Sequence, residues 1–307
     1  MNEVLQSDRN SGTALVLGGG GSTGNAWLIG VVAGLYEAGV DVTDAALIIG
    51  TSAGSTAAAQ ITGAAPSALL SDILLVAVDP RARLHASGVA HAPARAVSAQ
   101  LENTNRLIDA SHDQAQFRRR MGAAALELDR ASDGSWQNQW RATVASRLPD
   151  QRWPRRPVLI TAVDAQTGDG VVFDRHSGVE LVDAVAASCS SRFPYRIGDR
   201  YYIDGGFRSN ADNADLASGY ARVLVLAPFG GAALTPASWG TRLATQIAEL
   251  RAHGSALETI FPGPDGDALF GRNAMDPSLR PAAARAGYER GAASAERLGD
   301  FWGADGG

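Results

Sequence analysis

A serine stands between two glycines in the segment LIIGTSAGST, which covers residues 47–56. The apolar residues before the turn predict a buried strand, and the small residues after it predict a helix. A sharp turn between a strand and a helix lifts a serine hydroxyl clear of the backbone, where it can attack an electrophile. Ser52, flanked by Gly50 and Gly54, is therefore a candidate nucleophile. A glycine turn that serves packing alone is the alternative interpretation.

A glycine-rich loop, GGGGSTG at residues 18–24, follows an earlier apolar run. Gly19, Gly21 and Gly24 match the G-x-G-x-x-G fingerprint of a dinucleotide site. That fingerprint also requires an acidic residue at the end of the next strand, where this chain has the serine turn instead. Consecutive glycine N–H groups at the start of a helix can also bind a developing oxyanion. We therefore predict an oxyanion hole at Gly19, Gly20 and Gly21; a lipid- or nucleotide-binding module without turnover is the alternative.

A nucleophilic serine needs a group that accepts its proton. Asp204 ends the predicted strand YYID, and Gly205 and Gly206 directly after it permit a close backbone approach. Among the histidines only His253 follows Asp204, as a Ser-Asp-His order would require, but His253 falls in a predicted helix. Asp204 is thus the candidate base, with a loop-capping aspartate as the alternative. The other titratable candidates are His85, His91, His112, His176, Asp164 and Asp212.

The composition excludes several classes of chemistry. The chain has 307 residues, 45% of them hydrophobic, and a net charge of −5, which is typical of a globular protein with no general attraction to nucleic acid. All 27 basic residues are arginine. The absence of lysine rules out a phosphate-loop lysine, a Schiff base and a Ser-Lys dyad. With Cys189 as the only cysteine, an intrachain disulfide and a cysteine zinc cluster are excluded as well.

Apolar runs that alternate with helical patterns predict the elements that must position these groups. The run TALVL at residues 13–17 predicts a buried parallel strand, and the segment after the glycine loop has apolar residues at helical spacing. Gly30 and Gly34 lie one turn apart and would let that helix pack closely against a sheet. Together with the strand and helix around Ser52, this order predicts a parallel α/β layer structure.

The simplest domain organisation is a single domain over residues 1–307. It comprises a motif-bearing core at about 13–228, a helical insertion at about 79–150, and a largely helical C-terminal region at about 229–307. The polar N-terminus lacks the apolar core of a signal peptide, and no apolar run reaches the roughly 20 residues that span a bilayer. These features predict a cytoplasmic protein, with secretion without a cleaved signal as the alternative.

The glycine loop, the serine turn and the turn Asp204-Gly205-Gly206 resemble, in their order and setting, the motifs of patatin-like phospholipases. The segment AVAASCSSRFPYRIGDRYYIDGG is similar to that family's approach to its catalytic aspartate, and TAVDAQTGDGVVF is similar to its middle strand pair. The resemblance covers residues 13–228. It implies an α/β three-layer fold with a central, mostly parallel sheet flanked by helices. It also implies that Ser52 is the nucleophile, Asp204 the base, and the glycine loop the oxyanion hole.

The same resemblance implies lipid or phospholipid esters as substrates, transient contact with a membrane surface, and no metal, cofactor or nucleic-acid partner. It leaves the oligomeric state open, and an acyltransferase on the same scaffold is the functional alternative. Two positions depart from the family pattern. Thr23 stands where the family usually has Arg or Lys, and Asp212 replaces the proline of an Asn-x-Pro pattern that begins at Asn210.

Overall fold

The computed structural model of the chain describes residues 12–75, 94–264 and 266–303. Within these residues the strands form one mixed sheet in the order β5-β6-β3-β2-β1-β7-β8, and β4 pairs with β3 outside that path. The strands are β1 (Thr13–Leu17), β2 (Leu47–Gly50), β3 (Val158–Asp164), β4 (Gly170–Phe173), β5 (Tyr195–Ile197), β6 (Arg200–Asp204), β7 (Arg222–Leu226) and β8 (Ala256–Ile260).

Helices connect and cover these strands throughout the described part of the chain. In chain order they are α1 (Gly21–Glu37), α2 (Ala53–Ile61), α3 (Pro66–Leu75), α4 (Ala94–Asp109), α5 (Gln114–Arg130), α6 (Trp136–Ala145), α7 (Leu181–Ser188), α8 (Leu243–Ala252), α9 (Gly266–Leu269) and α10 (Arg280–Trp302).

Strand β1 lies at the centre of the parallel part of the sheet, between β2 and β7. Its alternate residues belong to two different apolar cores. Leu15 and Leu17 pack with α1, α2, α7 and α10, whereas Ala14 and Val16 pack with α8 on the opposite face. Because successive side chains of a strand point to opposite faces, a strand that is apolar at every position needs cover on both sides. This confirms the predicted three-layer α/β fold.

Antiparallel pairing is confined to one end of the sheet. Strand β3 pairs in parallel with β2 but antiparallel with β4 and β6, and β5 pairs antiparallel with β6. A smaller apolar cluster, which includes Val163 of β3 and Ile203 of β6, packs this end against α4 and α5. The sheet is therefore mostly parallel, with an antiparallel extension that carries Asp204.

The predicted insertion and C-terminal region differ in part from expectation. Residues 79–93 of the predicted insertion lie outside the described residues, and the remainder carries α4, α5 and α6. The C-terminal region holds α8, α9 and α10 but also β8, which extends the sheet beside β7 in parallel. The sequence ALETI of β8 mixes polar with apolar residues, as is common in an edge strand with one solvent-exposed face. It lacks the continuous apolar run that predicts a buried strand.

The prediction that Gly30 and Gly34 face a sheet is wrong, because helix α10 occupies that side of α1. A Cβ added to Gly30 would lie 2.1 Å from the carbonyl oxygen of Ala284, and one added to Gly34 would lie 2.2 Å from that of Tyr288. Gly287 of α10 in turn faces the backbone of α1 at a similar distance. The two helices therefore pack backbone against backbone, and α1 is buried between α10 and the sheet.

Among the described residues, no helix combines the length and the apolar character that crossing a bilayer requires.

We predict that Gly34→Ala destabilises the fold. The added methyl group would overlap the backbone of α10, and overpacking of this kind costs about 1–3 kcal/mol in the free energy of unfolding. Gly299→Ala on α10 is the matched control. There the new Cβ would meet only the Val40 side chain, at 3.8 Å, so the better helix propensity of alanine should leave stability unchanged or slightly raised. Denaturant unfolding of both variants measures the difference, and equal stability of the two would contradict the tight helix contact.

Candidate active site

Two strand ends meet on one edge of β3. On that edge Gly50 of β2 pairs with Ile160, and Asp204 of β6 pairs with Ala162. Strand β4 pairs with the same two residues of β3 along the opposite edge. Because β2 runs parallel to β3 and β6 runs antiparallel to it, their carboxyl ends point toward each other. Only Thr161 separates the two paired positions on β3. The residues that leave the two strands are thereby brought together, although they lie far apart in sequence.

Ser52 and Asp204 are hydrogen-bonded at this junction. The Ser52 hydroxyl donates to Asp204 Oδ2 at 2.8 Å, and the Gly206 N–H donates to the other carboxylate oxygen, Oδ1, at 2.8 Å. Burial raises the pKa of Asp204 to about 6, against a smaller opposite effect of these two hydrogen bonds. A carboxylate with this pKa is largely ionised at neutral pH and is more basic than an ordinary aspartate. The pair has the geometry and the charge for proton transfer from serine to aspartate.

The turn that presents Ser52 is strained. Ser52 has φ 52° and ψ −117°, in a region that side-chain-bearing residues rarely adopt and that is concentrated at functional sites. The flanking glycines are required by space: a Cβ on Gly50 would lie 2.6 Å from Ser55 Cα, and one on Gly54 would lie 1.9 Å from the Leu17 carbonyl oxygen. Packing therefore accounts for the two glycines, but it does not account for a serine held in a strained conformation between them.

Hydrogen bonds from α7 and α2 support the strained turn. The Ser52 N–H donates to the Ser188 hydroxyl at 2.9 Å, and the Ser55 hydroxyl donates to the Ser52 carbonyl at 2.6 Å. The Cys189 thiol also donates to that carbonyl, at 3.1 Å. Burial raises the pKa of the Cys189 thiol to about 11, and the nearby Asp204 carboxylate adds to the effect. Cys189 is therefore a neutral packing and hydrogen-bonding group at neutral pH.

A buried polar cluster joins the serine turn to the aspartate turn. Asn213 Nδ2 donates to Thr51 Oγ1 and to the Gly205 carbonyl, both at 3.0 Å, and the Thr161 hydroxyl donates to Thr51 Oγ1 at 3.0 Å. Gly205 cannot carry a side chain here, because its Cβ would lie 2.2 Å from Thr161 Oγ1. The sequence analysis identified Gly205 but not Thr51, Thr161 or Asn213, because no sequence motif connects these three residues.

The glycine loop lies beside Ser52, but its three predicted donors are not equivalent. The Gly19 N–H donates to the Ala211 carbonyl at 2.7 Å. The expectation that Gly19 serves as an oxyanion donor therefore needs correction, because its N–H already has an acceptor. The N–H groups of Gly20 and Gly21 have no acceptor within the described residues. They lie where the chain enters α1, whose first N–H groups have no partner inside the helix.

Close packing explains why the loop consists of glycines. A Cβ on Gly20 would lie 2.7 Å from both Gly24 Cα and Pro228 Cβ. Gly21 has φ +64°, and its Cβ would lie 2.6 Å from the Ala274 carbonyl oxygen. A side chain at either position would displace the backbone that carries the free N–H groups.

The remaining titratable candidates lie away from the Ser52–Asp204 pair. Asp164 caps a turn by accepting the backbone N–H groups of Gln166 and Thr167, and it forms an ion pair with Arg200 at 2.9 Å. His253 is exposed at the end of α8, where its ring contacts the Glu249 carbonyl. His85 and His91 lie outside the described residues, and His112 and His176 are exposed. Within the described ranges no group of His, Cys, Asp and Glu side chains could hold a metal ion.

Asp212, at the position of the family's proline, is a buried carboxylate packed against the glycine loop. A Cβ on Gly18 would lie 2.1 Å from Asp212 Oδ1, and no described residue donates a hydrogen bond to that oxygen. Burial raises the pKa of Asp212 to about 7. An ionised carboxylate without a donor is unfavourable in a buried site, so the protonated form is the one that suits the fold.

We predict that Asp212→Asn stabilises the protein above neutral pH. The unfolded chain releases this proton near pH 3.9 and the folded chain near pH 7, so the folded state loses stability as the pH rises through this interval. The amide cannot ionise and should be more stable than wild type by about 1–3 kcal/mol at pH 8. The advantage should be small at pH 4. Denaturant unfolding at both pH values, with exposed Asp109→Asn as the control, measures it. An advantage that is absent at pH 8 would contradict the prediction.

Comparison with known proteins identifies the family. The family model described as patatin-like phospholipase matches residues 15–217. A search of curated proteins found no match. Among solved structures, the crystal structure of VipD from Legionella pneumophila aligns with 90% of this chain and 67% of its own, at 13% identity and a TM-score of 0.35. The family match covers more than half of the chain and includes the glycine loop, the serine turn and Asp204. The chain belongs to the patatin-like phospholipase family.

Proposed function

We propose that this protein is a serine acyl hydrolase that cleaves carboxylic ester bonds of lipids or phospholipids. Ser52 is the nucleophile, Asp204 is the base, and the N–H groups of Gly20 and Gly21 stabilise the oxyanion. The observation that carries the proposal is the 2.8 Å hydrogen bond from the Ser52 hydroxyl to the buried Asp204 carboxylate. Membership of a family described as patatin-like phospholipases supports the lipid substrate.

In the first step Asp204 removes the hydroxyl proton as Ser52 Oγ bonds to the ester carbonyl carbon. The carbonyl oxygen takes the electron pair and becomes an oxyanion, which the N–H groups of Gly20 and Gly21 bind. Collapse of this intermediate breaks the bond to the leaving alcohol. The alcohol oxygen takes the proton from Asp204, and the acyl group remains on Ser52.

In the second step Asp204 removes a proton from water, whose oxygen attacks the acyl carbon. The same N–H groups bind the second oxyanion. Release of the fatty acid breaks the bond to Ser52 Oγ, which takes its proton back from Asp204. One aspartate therefore serves as base and acid in turn, and neither half-reaction uses histidine.

An exposed apolar side chain borders the glycine loop and favours an apolar substrate. The Met275 thioether lies 3.0 Å from the position that a Cβ of Gly21 would occupy. Met275 is 48% exposed, and methionine packs against irregular apolar surfaces because its side chain is flexible and polarisable. An acyl chain that enters beside the free N–H groups of Gly20 and Gly21 would contact it.

We predict that a fluorophosphonate labels the wild-type protein but not Ser52→Ala. In a phospholipid panel the wild type should release fatty acid, and Ser52→Ala should lose at least about 10³ in kcat, as expected for removal of a covalent nucleophile. Exposed Ser67→Ala on α3 is the control and should behave as wild type.

Addition of a lysolipid or alcohol acceptor tests the alternative, because an acyltransferase would form a new ester in place of free fatty acid. Equal labelling of the wild type and Ser52→Ala would end the proposal.

We predict that kcat/KM depends on the ionisation of Asp204. Because only the carboxylate can accept the serine proton, kcat/KM should be level above about pH 6 and fall about tenfold per pH unit below it. Asp204→Asn, nearly isosteric but unable to accept a proton, should lower kcat by about 10²–10⁴ at pH 7.5.

The control for this prediction is His253→Ala, which should change kcat/KM by less than about tenfold. A collapse of activity in His253→Ala with an intact circular dichroism spectrum would indicate a Ser-Asp-His triad. Asp204 would then orient the histidine and would not itself be the base.

A further inference from the structure

Arg280, at the start of α10, reaches the first turn of α1, where the last residues of the glycine loop are already helical. Its Nη1 donates to the Ser22 carbonyl at 2.7 Å, and its Nη2 donates to Asn25 Oδ1 at 3.1 Å. Ser22 follows Gly21 in the chain, so the guanidinium lies at the same helix end as the free N–H groups of Gly20 and Gly21. Arg280 also lies beyond the part of the chain that the family model matches.

No carboxylate of the described residues neutralises the charge of Arg280. Its acceptors are a carbonyl, an amide oxygen and, at 3.5 Å, the Ser22 hydroxyl, all of them uncharged. None of the ion pairs between described residues includes Arg280. Burial, together with the charge of Arg147, lowers the pKa of Arg280 to about 10, so it remains protonated at neutral pH. A half-buried cation that no described carboxylate pairs with is unfavourable for folding but exerts a strong field on its surroundings.

A network of amides fixes the guanidinium in place. Asn25 is buried, and its Nδ2 donates to Gln60 Oε1 of α2 at 2.8 Å, which leaves Asn25 Oδ1 directed at Arg280. The Gln60 Nε2 donates in turn to the Arg147 carbonyl at 3.1 Å. The helix that follows the nucleophile, the helix that follows the glycine loop and the C-terminal helix are thereby joined at one point. A charge held this rigidly needs no reorganisation during the reaction.

The glycine loop has no charged side chain of its own. Thr23, at the position where the family usually has Arg or Lys, is fully buried, with its hydroxyl 3.4 Å from the Ala274 carbonyl. The Thr23 N–H donates to the same carbonyl at 3.0 Å. The segment from Ala274 to Arg280 therefore contacts the first turn of α1 through the Ala274 carbonyl and through the Arg280 guanidinium. The guanidinium supplies a positive charge that the loop's own side chains lack.

We propose that Arg280 supplies the fixed positive charge that stabilises the oxyanion bound by Gly20 and Gly21, while it holds the first turn of α1 in place. The inference rests on the proposed hydrolase function. Arg280 acts through the loop and is a positioning residue, because its guanidinium donates to Ser22 and Asn25 and not to the reacting atoms. The charge contributes most when the oxyanion forms, so its loss should appear in kcat more than in KM.

The test uses the full chain and a neutral short-chain p-nitrophenyl ester, which has no phosphate that an arginine could recognise. Arg280→Gln should lower kcat at least tenfold and leave KM within about twofold, and fluorophosphonate labelling should slow in parallel. Arg280→Lys keeps the charge and should recover kcat to within about threefold of wild type. Exposed Arg285→Gln on the same helix is the matched control and should leave kcat unchanged.

Asn25→Asp provides a second, independent variant. A carboxylate at this position would keep an acceptor for Arg280 and neutralise its charge, although it would also lose the hydrogen bond that Asn25 Nδ2 donates to Gln60. We expect kcat to fall again at least tenfold. This variant decides the question if Arg280→Gln does not fold. Full activity of Arg280→Gln, a loss confined to KM, or an Arg280→Lys variant as impaired as Arg280→Gln would overturn the proposal.

Ser52→Ala, measured with the same ester, separates the two levels of inference. If Ser52→Ala retains activity, the proposed Ser52 acyl-enzyme mechanism fails, and the role of Arg280 in it fails as well. If Ser52→Ala is inactive while Arg280→Gln and Asn25→Asp remain as active as wild type, only the role of Arg280 is overturned.

Discussion

The meeting of two strand ends on one edge of β3 is the constraint on which the site depends. Strand β2 ends at Gly50 and strand β6 ends at Asp204, against positions of β3 that are two residues apart. In a purely parallel sheet the carboxyl ends of all strands would lie side by side. Here the antiparallel β6 approaches from the opposite direction, so its last residue faces the turn that follows β2. The hydrogen bond between Ser52 and Asp204 is a direct consequence of this topology.

Such a junction leaves little space, and small or polar residues fill it. Glycines permit backbone contacts at the serine turn, the aspartate turn and the start of α1, where side chains would overlap neighbouring backbone. The hydroxyls of Thr51 and Thr161 and the amide of Asn213 satisfy one another in the centre. Asn213 takes up φ 54°, a left-handed conformation that asparagine tolerates better than most residues. The strain at Ser52 is maintained because these contacts over-determine the surrounding backbone.

Burial has different consequences for the three ionisable groups around the site. It raises the pKa of Asp204 to about 6, which improves that carboxylate as a base without preventing its ionisation at neutral pH. It raises the pKa of Asp212 to about 7, where no donor compensates for the charge. Arg280 stays protonated in spite of burial, because the pKa of a guanidinium starts far above neutrality. Desolvation thus makes Asp204 a better base and favours the neutral form of Asp212, whereas Arg280 keeps its positive charge.

Local patterns were sufficient to predict the fold class, the strands around the site and the turns of Ser52 and Asp204. Each of these features lies within a few consecutive residues, where glycine spacing and apolar runs directly limit the backbone. Features that depend on partners distant in sequence could not be predicted in this way. The acceptor that occupies the Gly19 N–H, the helix that faces Gly30 and Gly34, and the polar cluster at Asn213 all involve such partners. Arg280 and Ser22 lie 258 positions apart, and only the packing of α10 against α1 brings that charge to the glycine loop.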